Sequence, residues 1–392
     1  MISRTAGAPS EPARRTRTGR WTAAACVGVA VAATAAGSQP AAPPMHEPTG
    51  LVPHALAAAD LNGDGIPDLV VPAAAERKLT VLLSDGHGGF ASRQTYPAGI
   101  GPSWVEVGDW NGDGKPDLVV ANTGGGTLTL YHGDGTGRFG TPQEIGGIPG
   151  PASLAVGDFD GDGRPDLAVV QARDARVVIL RNDGDRFQRA GQYPVGRGPH
   201  IVTVVDVNGD GRPDLVVGTF SPHALALLLG RGDGGFRAAA EVRVSRFPHY
   251  VAAGDWDRDG HTDLAVVCAG DDAVVLLRGD GTGAFRTAST LATGSNPHGL
   301  VAADLNGDGI PDLVVSTRSQ GQLDIYLGDA RGGFARQRPF RTEQDIITLG
   351  AGDFDRDGKI DLALVSTSHN AVVMLRGDGR AGFTPFGQTA NP

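Results

Sequence analysis

Seven times along this chain, a nine-residue run carries aspartate or asparagine at its first, third, fifth and ninth positions and glycine at its sixth. In order, the side chains are Asp60, Asn62, Asp64 and Asp68; Asp109, Asn111, Asp113 and Asp117; Asp158, Asp160, Asp162 and Asp166; Asp206, Asn208, Asp210 and Asp214; Asp255, Asp257, Asp259 and Asp263; Asp304, Asn306, Asp308 and Asp312; and Asp353, Asp355, Asp357 and Asp361. Calcium takes about six to eight hard oxygen ligands at roughly 2.3–2.6 Å. On a curling backbone the alternate positions aim at one point, and the ninth closes the shell. The main-chain carbonyl of the seventh position adds another oxygen; that residue is Ile66, Lys115, Arg164, Arg212, His261, Ile310 or Lys359. A single run of this kind is more often an Asx-rich turn without metal. Seven of them, with three carboxylates in four runs and four in three, concentrate 24 negative charges that need cations. Up to seven Ca²⁺ ions are expected.

The run resembles the first half of an EF-hand loop and then departs from it. At the twelfth position, where a bidentate glutamate would stand, the first run has Val71, and a strand-like segment follows where a helix would. The elements that must hold these runs repeat with them. The first aspartates are spaced 49, 49, 48, 49, 49 and 49 residues apart, and each run is followed by a glycine-rich turn ending in Phe90, Phe139, Phe187, Phe236, Phe285, Phe334 or Phe383. Units starting at residues 51, 100, 149, 197, 246, 295 and 344 tile 51–392. Within a unit, short apolar runs such as Asp68 to Val71 and Leu79 to Leu83 alternate with turns. With 60 glycines and 26 prolines, no segment supports a long helix. The expectation is an all-β, seven-bladed β-propeller of four-stranded antiparallel blades, since radial closure protects the edges that an open array exposes.

The run Asp60-Leu-Asn-Gly-Asp-Gly-Ile-Pro-Asp-Leu-Val-Val71 and the downstream Leu-Leu-x-Asp-Gly-x-Gly-Gly-Phe90 resemble the FG-GAP/VCBS repeat. The resemblance covers 51–392. It implies the seven-bladed calcium-binding propeller of integrin α subunits and of secreted bacterial proteins, with a structural Ca²⁺ in the hairpin between the first two strands of each blade. It further implies adhesion or carbohydrate binding and, less often, catalysis.

The formal charge of −10 has two parts. Arg4, Arg14, Arg15, Arg17 and Arg20 against Glu11 make the first 37 residues basic, and the rest is correspondingly more acidic. Seven divalent cations account for that acidity, and no basic nucleic-acid footprint exists. The arginine-rich start, the alanine/valine run Trp21 to Gly37 and its small-residue exit read as a secretory signal peptide over 1–37, followed by a proline-rich linker over 38–50. The protein is therefore expected to be secreted, with no membrane span in the mature chain. Cys26 lies in the removed segment, so Cys268 alone remains and forms no internal disulfide.

Against this background of repetition, one position varies. Six residues before each loop aspartate stand His54, Ser103, Ala152, His200, His249, His298 and Ile347, most of them after a proline. The first strand of a blade lines the channel, so these side chains should ring its mouth on the face away from the acidic loops. Tyr250 and Arg318 belong to the same face. His54, His200, His249, Tyr250, His298 and Arg318 are thus the candidate ligand-binding residues for a carbohydrate or protein. A non-catalytic binding or adhesion module is the expected function. The alternative is a polysaccharide lyase or hydrolase using His200, His249 or Tyr250 as base, with Arg318 neutralising a uronate. Three Arg-Gly-Asp triplets, starting at Arg231, Arg278 and Arg376, fall in or beside the glycine-rich turns and read as turn residues.

Overall fold

The computed structural model describes residues 46–184, 186–342 and 345–386; the segment 1–37, expected to be a signal peptide, and residues 38–45 of the expected linker lie outside them. Among the described residues every regular element is a β-strand, and none forms a helix long and apolar enough to cross a membrane. The strands make seven separate antiparallel sheets, each ordered inner, second, third, outer, and in six of them this is also the order along the chain. The first blade is Ala57–Ala59, Asp68–Ala73, Lys78–Ser84 and Phe90–Pro97. Inner strands of successive blades lie side by side around the ring, and the seventh, Ile346–Gly352, returns to the first. This is a seven-bladed β-propeller.

Burial explains the strand sequences. Second strands such as Asp68–Ala73 and Asp263–Cys268 are buried at every position, because each blade face packs on a neighbouring blade. They are accordingly continuous apolar runs rather than alternating ones. The outer strand Phe90–Pro97 alternates half-buried and exposed residues, as a rim strand with one wet face should. Trp110 and Trp256, following the first loop aspartate, are buried packing residues, and Cys268 is a buried free thiol.

The ring closes differently from the tiling of 51–392. His46–Pro48, at the end of the segment expected to be linker, is a strand paired with Ala371–Val373 of the seventh blade. Phe383–Pro385 pairs with the other half of the same third strand. In blades four and six the outer strand is likewise split, and Arg243 and Arg341 stand opposite Ala224 and Gln322, as Pro48 stands opposite Ala371. The amino-terminal segment thus supplies half of the last blade's outer strand. Thr49 fastens it: its N–H and hydroxyl reach the Asn370 carbonyl at 2.9 and 3.1 Å, and its own carbonyl accepts the Thr80 hydroxyl of the first blade at 2.7 Å. A three-residue strand has no repeat signature, so the sequence pattern did not separate it from the prolines before it.

Candidate functional site

Each acidic loop links an inner strand to the second strand of its blade. In the first, Asp60 Oδ1 accepts the N–H groups of Gly63 and Asp64 at 2.7 and 3.2 Å, and Oδ2 accepts that of Gly65 at 2.9 Å. Asn62 and Asp64 accept the N–H groups two residues on, at 2.9 and 2.8 Å. Gly63 and Gly65 adopt φ of 79° and 84°, which curls the chain around the first carboxylate. The arrangement recurs around Asp109, Asp158, Asp206 and Asp304.

The ninth-position aspartates do a second job in all seven blades. One oxygen accepts the N–H of the second loop residue, at 2.9–3.3 Å. The other accepts an N–H sixteen residues on, at the end of the third strand, at 2.7–2.9 Å. These carboxylates brace loop to hairpin from a nearly solvent-free position. Burial pushes Asp68 up to about 7, Asp166 and Asp312 up to about 6, and Asp361 up to about 8. Buried carboxyls beside further carboxylates are a donor set that suits a hard cation. In three blades, carboxylate oxygens of Asp158, Asp160 and Asp166, of Asp255, Asp257 and Asp259, and of Asp353, Asp355 and Asp357 lie within 4.8 Å of one another.

At the opposite end of the inner strands, the variable position builds a cup. His200, His249 and His298 come from three adjacent blades, and successive ring centroids are 4.6 Å apart. Phe220 stacks on His200 at 5.3 Å, and His298 Nδ1–H donates to the Ile347 carbonyl at 2.7 Å. His54 stands exposed at the rim, where the Ser103 backbone meets its ring. Arg318 reaches the cup from a second-to-third-strand loop, with Asp345 at 3.6 Å. Burial, then the neighbouring imidazoles and, for His249 and His298, Arg318, holds His200, His249 and His298 down to about 3. They are neutral at physiological pH. His249 Nδ1 and Arg318 Nε are buried without a hydrogen-bond partner among the described residues.

Tyr250 lies below this cup. It is buried, its hydroxyl donates to Thr348 Oγ1 at 3.2 Å, and its ring meets Trp104 across the channel at 6.2 Å. Trp104 in turn donates its indole N–H to Glu106 at 2.8 Å, a carboxyl that burial pushes up to about 8. Residues from blades two, five and seven therefore floor the cup. Glu106 carries no repeat signature and was missed from sequence. The Arg-Gly-Asp triplets are committed elsewhere: Arg278 and Arg376 pair with loop residues Asp257 and Asp355, and Arg231 pairs with its own Asp233.

Fold and loops together define a β-propeller built from repeated aspartate hairpins. The FG-GAP-like repeat matches residues 60–120, 109–169, 168–217, 206–266, 255–315 and 306–364, and the chain belongs to that family. No curated protein matches it. Among solved structures it is similar to BBS1N, crystallised in complex with ARL6DN, at 15% identity and TM-score 0.60 over 85% of this chain and 93% of that one. It is also similar to a protein from Lactobacillus plantarum, at 16% identity and TM-score 0.56 over 77% and 86%. A third similar structure is the periplasmic gluconolactonase PpgL of Pseudomonas aeruginosa, at 18% identity and TM-score 0.52 over 76% and 86%. These likenesses concern the fold alone.

Proposed function

We propose that the protein is a secreted, calcium-loaded binding or adhesion module that receives a carbohydrate or protein ligand in the histidine cup and performs no chemistry on it. The carrying observation is the convergence of His200, His249, His298 and Arg318 with two buried polar atoms, His249 Nδ1 and Arg318 Nε, that no group among the described residues satisfies. A buried polar group without a partner costs about 1–3 kcal/mol, which a ligand's oxygens would recover. The aromatic faces of Phe220 and the imidazoles add a surface for a sugar ring or a peptide end. That BBS1N is seen with a protein partner agrees with recognition by a propeller of this architecture.

The lyase or hydrolase alternative is disfavoured by the same geometry. A general base works best with a pKa near the operating pH, whereas these imidazoles sit near 3. Tyr250 is buried against Trp104 and donates to Thr348. Calcium would be held by the first, third, fifth and ninth loop side chains. Its charge would offset the clustered carboxylates and stiffen the hairpins that carry the inner strands. Export is supported by the basic, then apolar, then small-residue order of residues 1–37.

The test is a glycan and peptide array probed with wild type and with His200→Ala/His249→Ala, in millimolar calcium and in EGTA. The double variant should melt like wild type and lose binding at least tenfold. Undiminished binding by the double variant, or turnover of an arrayed polysaccharide by wild type, would overturn this reading.

A further inference from the structure

The seven acidic loops are of two kinds, and a residue outside the loop tells them apart. The third position is amide in four blades (Asn62, Asn111, Asn208, Asn306) and acid in three (Asp160, Asp257, Asp355). Twenty-one residues after each asparagine, in or just past the third strand, stands Leu83, His132, Leu229 or Leu327. At the same distance after each aspartate the third strand carries Arg181, Arg278 or Arg376. The correspondence holds in every blade.

The structure supplies the cause. The third strand folds back beside the loop, and Arg278 Nη1 lies 2.8 Å from Asp257 Oδ2 while Arg376 Nε lies 2.7 Å from Asp355 Oδ2. Arg181 stands at 3.9 Å from Asp160 Oδ2. These are not loose surface pairs, because the carboxylate side chains are only 10, 5 and 14% exposed. The leucines fill the equivalent place. Leu83 and Leu229 lie beside Gly137 and Gly283 in the following blade's glycine-rich turn, as Arg278 lies beside Gly332.

We propose that Arg181, Arg278 and Arg376 set the calcium affinity of their blades by cancelling the additional carboxylate at the third loop position. The inference rests on the calcium reading above. Calcium affinity follows ligand charge count. An uncompensated fourth carboxylate would make these three sites tighter than they are with the arginine in place. It would also leave a nearly buried, unpaired charge whenever the ion leaves.

The experiment titrates calcium alone into the full chain by calorimetry and records melts in EGTA. The main variant is Arg181→Leu/Arg278→Leu/Arg376→Leu, which installs the residue blades one, four and six already have. It should bind calcium at three sites about tenfold more tightly with unchanged stoichiometry, and should melt lower than wild type in EGTA. Adding Asp160→Asn/Asp257→Asn/Asp355→Asn should return both quantities to wild-type values. If the triple variant does not fold, Asp257→Asn alone, which leaves Arg278 uncompensated, should weaken one site about tenfold. Unchanged affinity in either variant, or tightening that the asparagines do not reverse, would overturn the proposal. A rise in stoichiometry on removing the arginines would show that they stand in place of an ion, and would also overturn it. No calcium uptake by wild type would instead remove the calcium reading, and the affinity assignment with it.

Discussion

Replacing Glu106 with glutamine tests the floor of the channel. Glu106 is 3% exposed, and burial pushes its carboxyl up to about 8 from an ordinary value of 4.5. The folded state therefore holds this proton more tightly than the unfolded state does. The stability so contributed is complete below about pH 4.5 and is lost as pH rises through about 8. At pH 7 the difference of some two and a half units corresponds to about 3 kcal/mol of lost stability. Glutamine keeps an oxygen for the Trp104 indole N–H, now at 2.8 Å from the carboxylate, and removes the ionisation. Melts of wild type and Glu106→Gln, followed by circular dichroism from pH 5 to 8 in saturating calcium, should nearly coincide at pH 5. By pH 7 the variant should be more stable by about 3 kcal/mol, roughly 3–6 °C for a domain this large. Curves that stay parallel over that interval would refute the assignment of a buried, protonated carboxyl.

Exhaustive EGTA treatment should lower the melting temperature by more than about ten degrees, each site contributing on the order of 1 kcal/mol at millimolar calcium; an unchanged melt in protein shown free of metal would refute calcium as a structural ion. Asp312→Ala should cost about 2–4 kcal/mol even in EGTA, because the Leu305 and Gly328 N–H groups lose their acceptor, whereas Asp308→Ala should cost little there; equal losses by chemical denaturation would dismiss the brace. Removing residues 1–50 takes away the strand His46–Pro48 and the acceptor of the Thr80 hydroxyl. That truncation should lose about 2–4 kcal/mol by the same measurement, and a truncated chain as stable as the full one would show that the seventh blade closes without it.

Features that repeat were legible in the sequence, and features that cross the ring were not. The loop aspartates, the turn phenylalanines and the four-strand rhythm recur every 49 or 48 residues, so each copy corroborates the others. Local turn chemistry suffices to read them. The histidines were found because they break the repeat at one fixed position, and the structure brings His200, His249 and His298 together as that register requires. Trp104 meeting Tyr250, and Glu106 beneath them, depend on which side chains face each other across the channel, which no local pattern encodes. The brace formed by Asp68 and its counterparts was hidden for a different reason: the ligand position and the structural position are the same residue. The pairing of Arg278 with Asp257 was written in the spacing, but it acquires meaning only when the third strand is known to run beside the loop.

The strand that closes the ring also fixes when the ring can close. Thr49 and its partner Asn370 are 321 residues apart. At about 5–20 residues per second of synthesis, the amino-terminal strand waits roughly 15–60 s before its partner exists. Joining ends so distant costs about 5 kcal/mol in chain entropy. Until the seventh third strand is made, every partial product is an open arc with two bare apolar flanks, one at the first blade and one at the newest. The completed chain ends that exposure in a single capture of its earliest-made strand by its latest-made blade. Ribosomes that stop short by even a few tens of residues would therefore release sticky arcs instead of slightly shortened propellers.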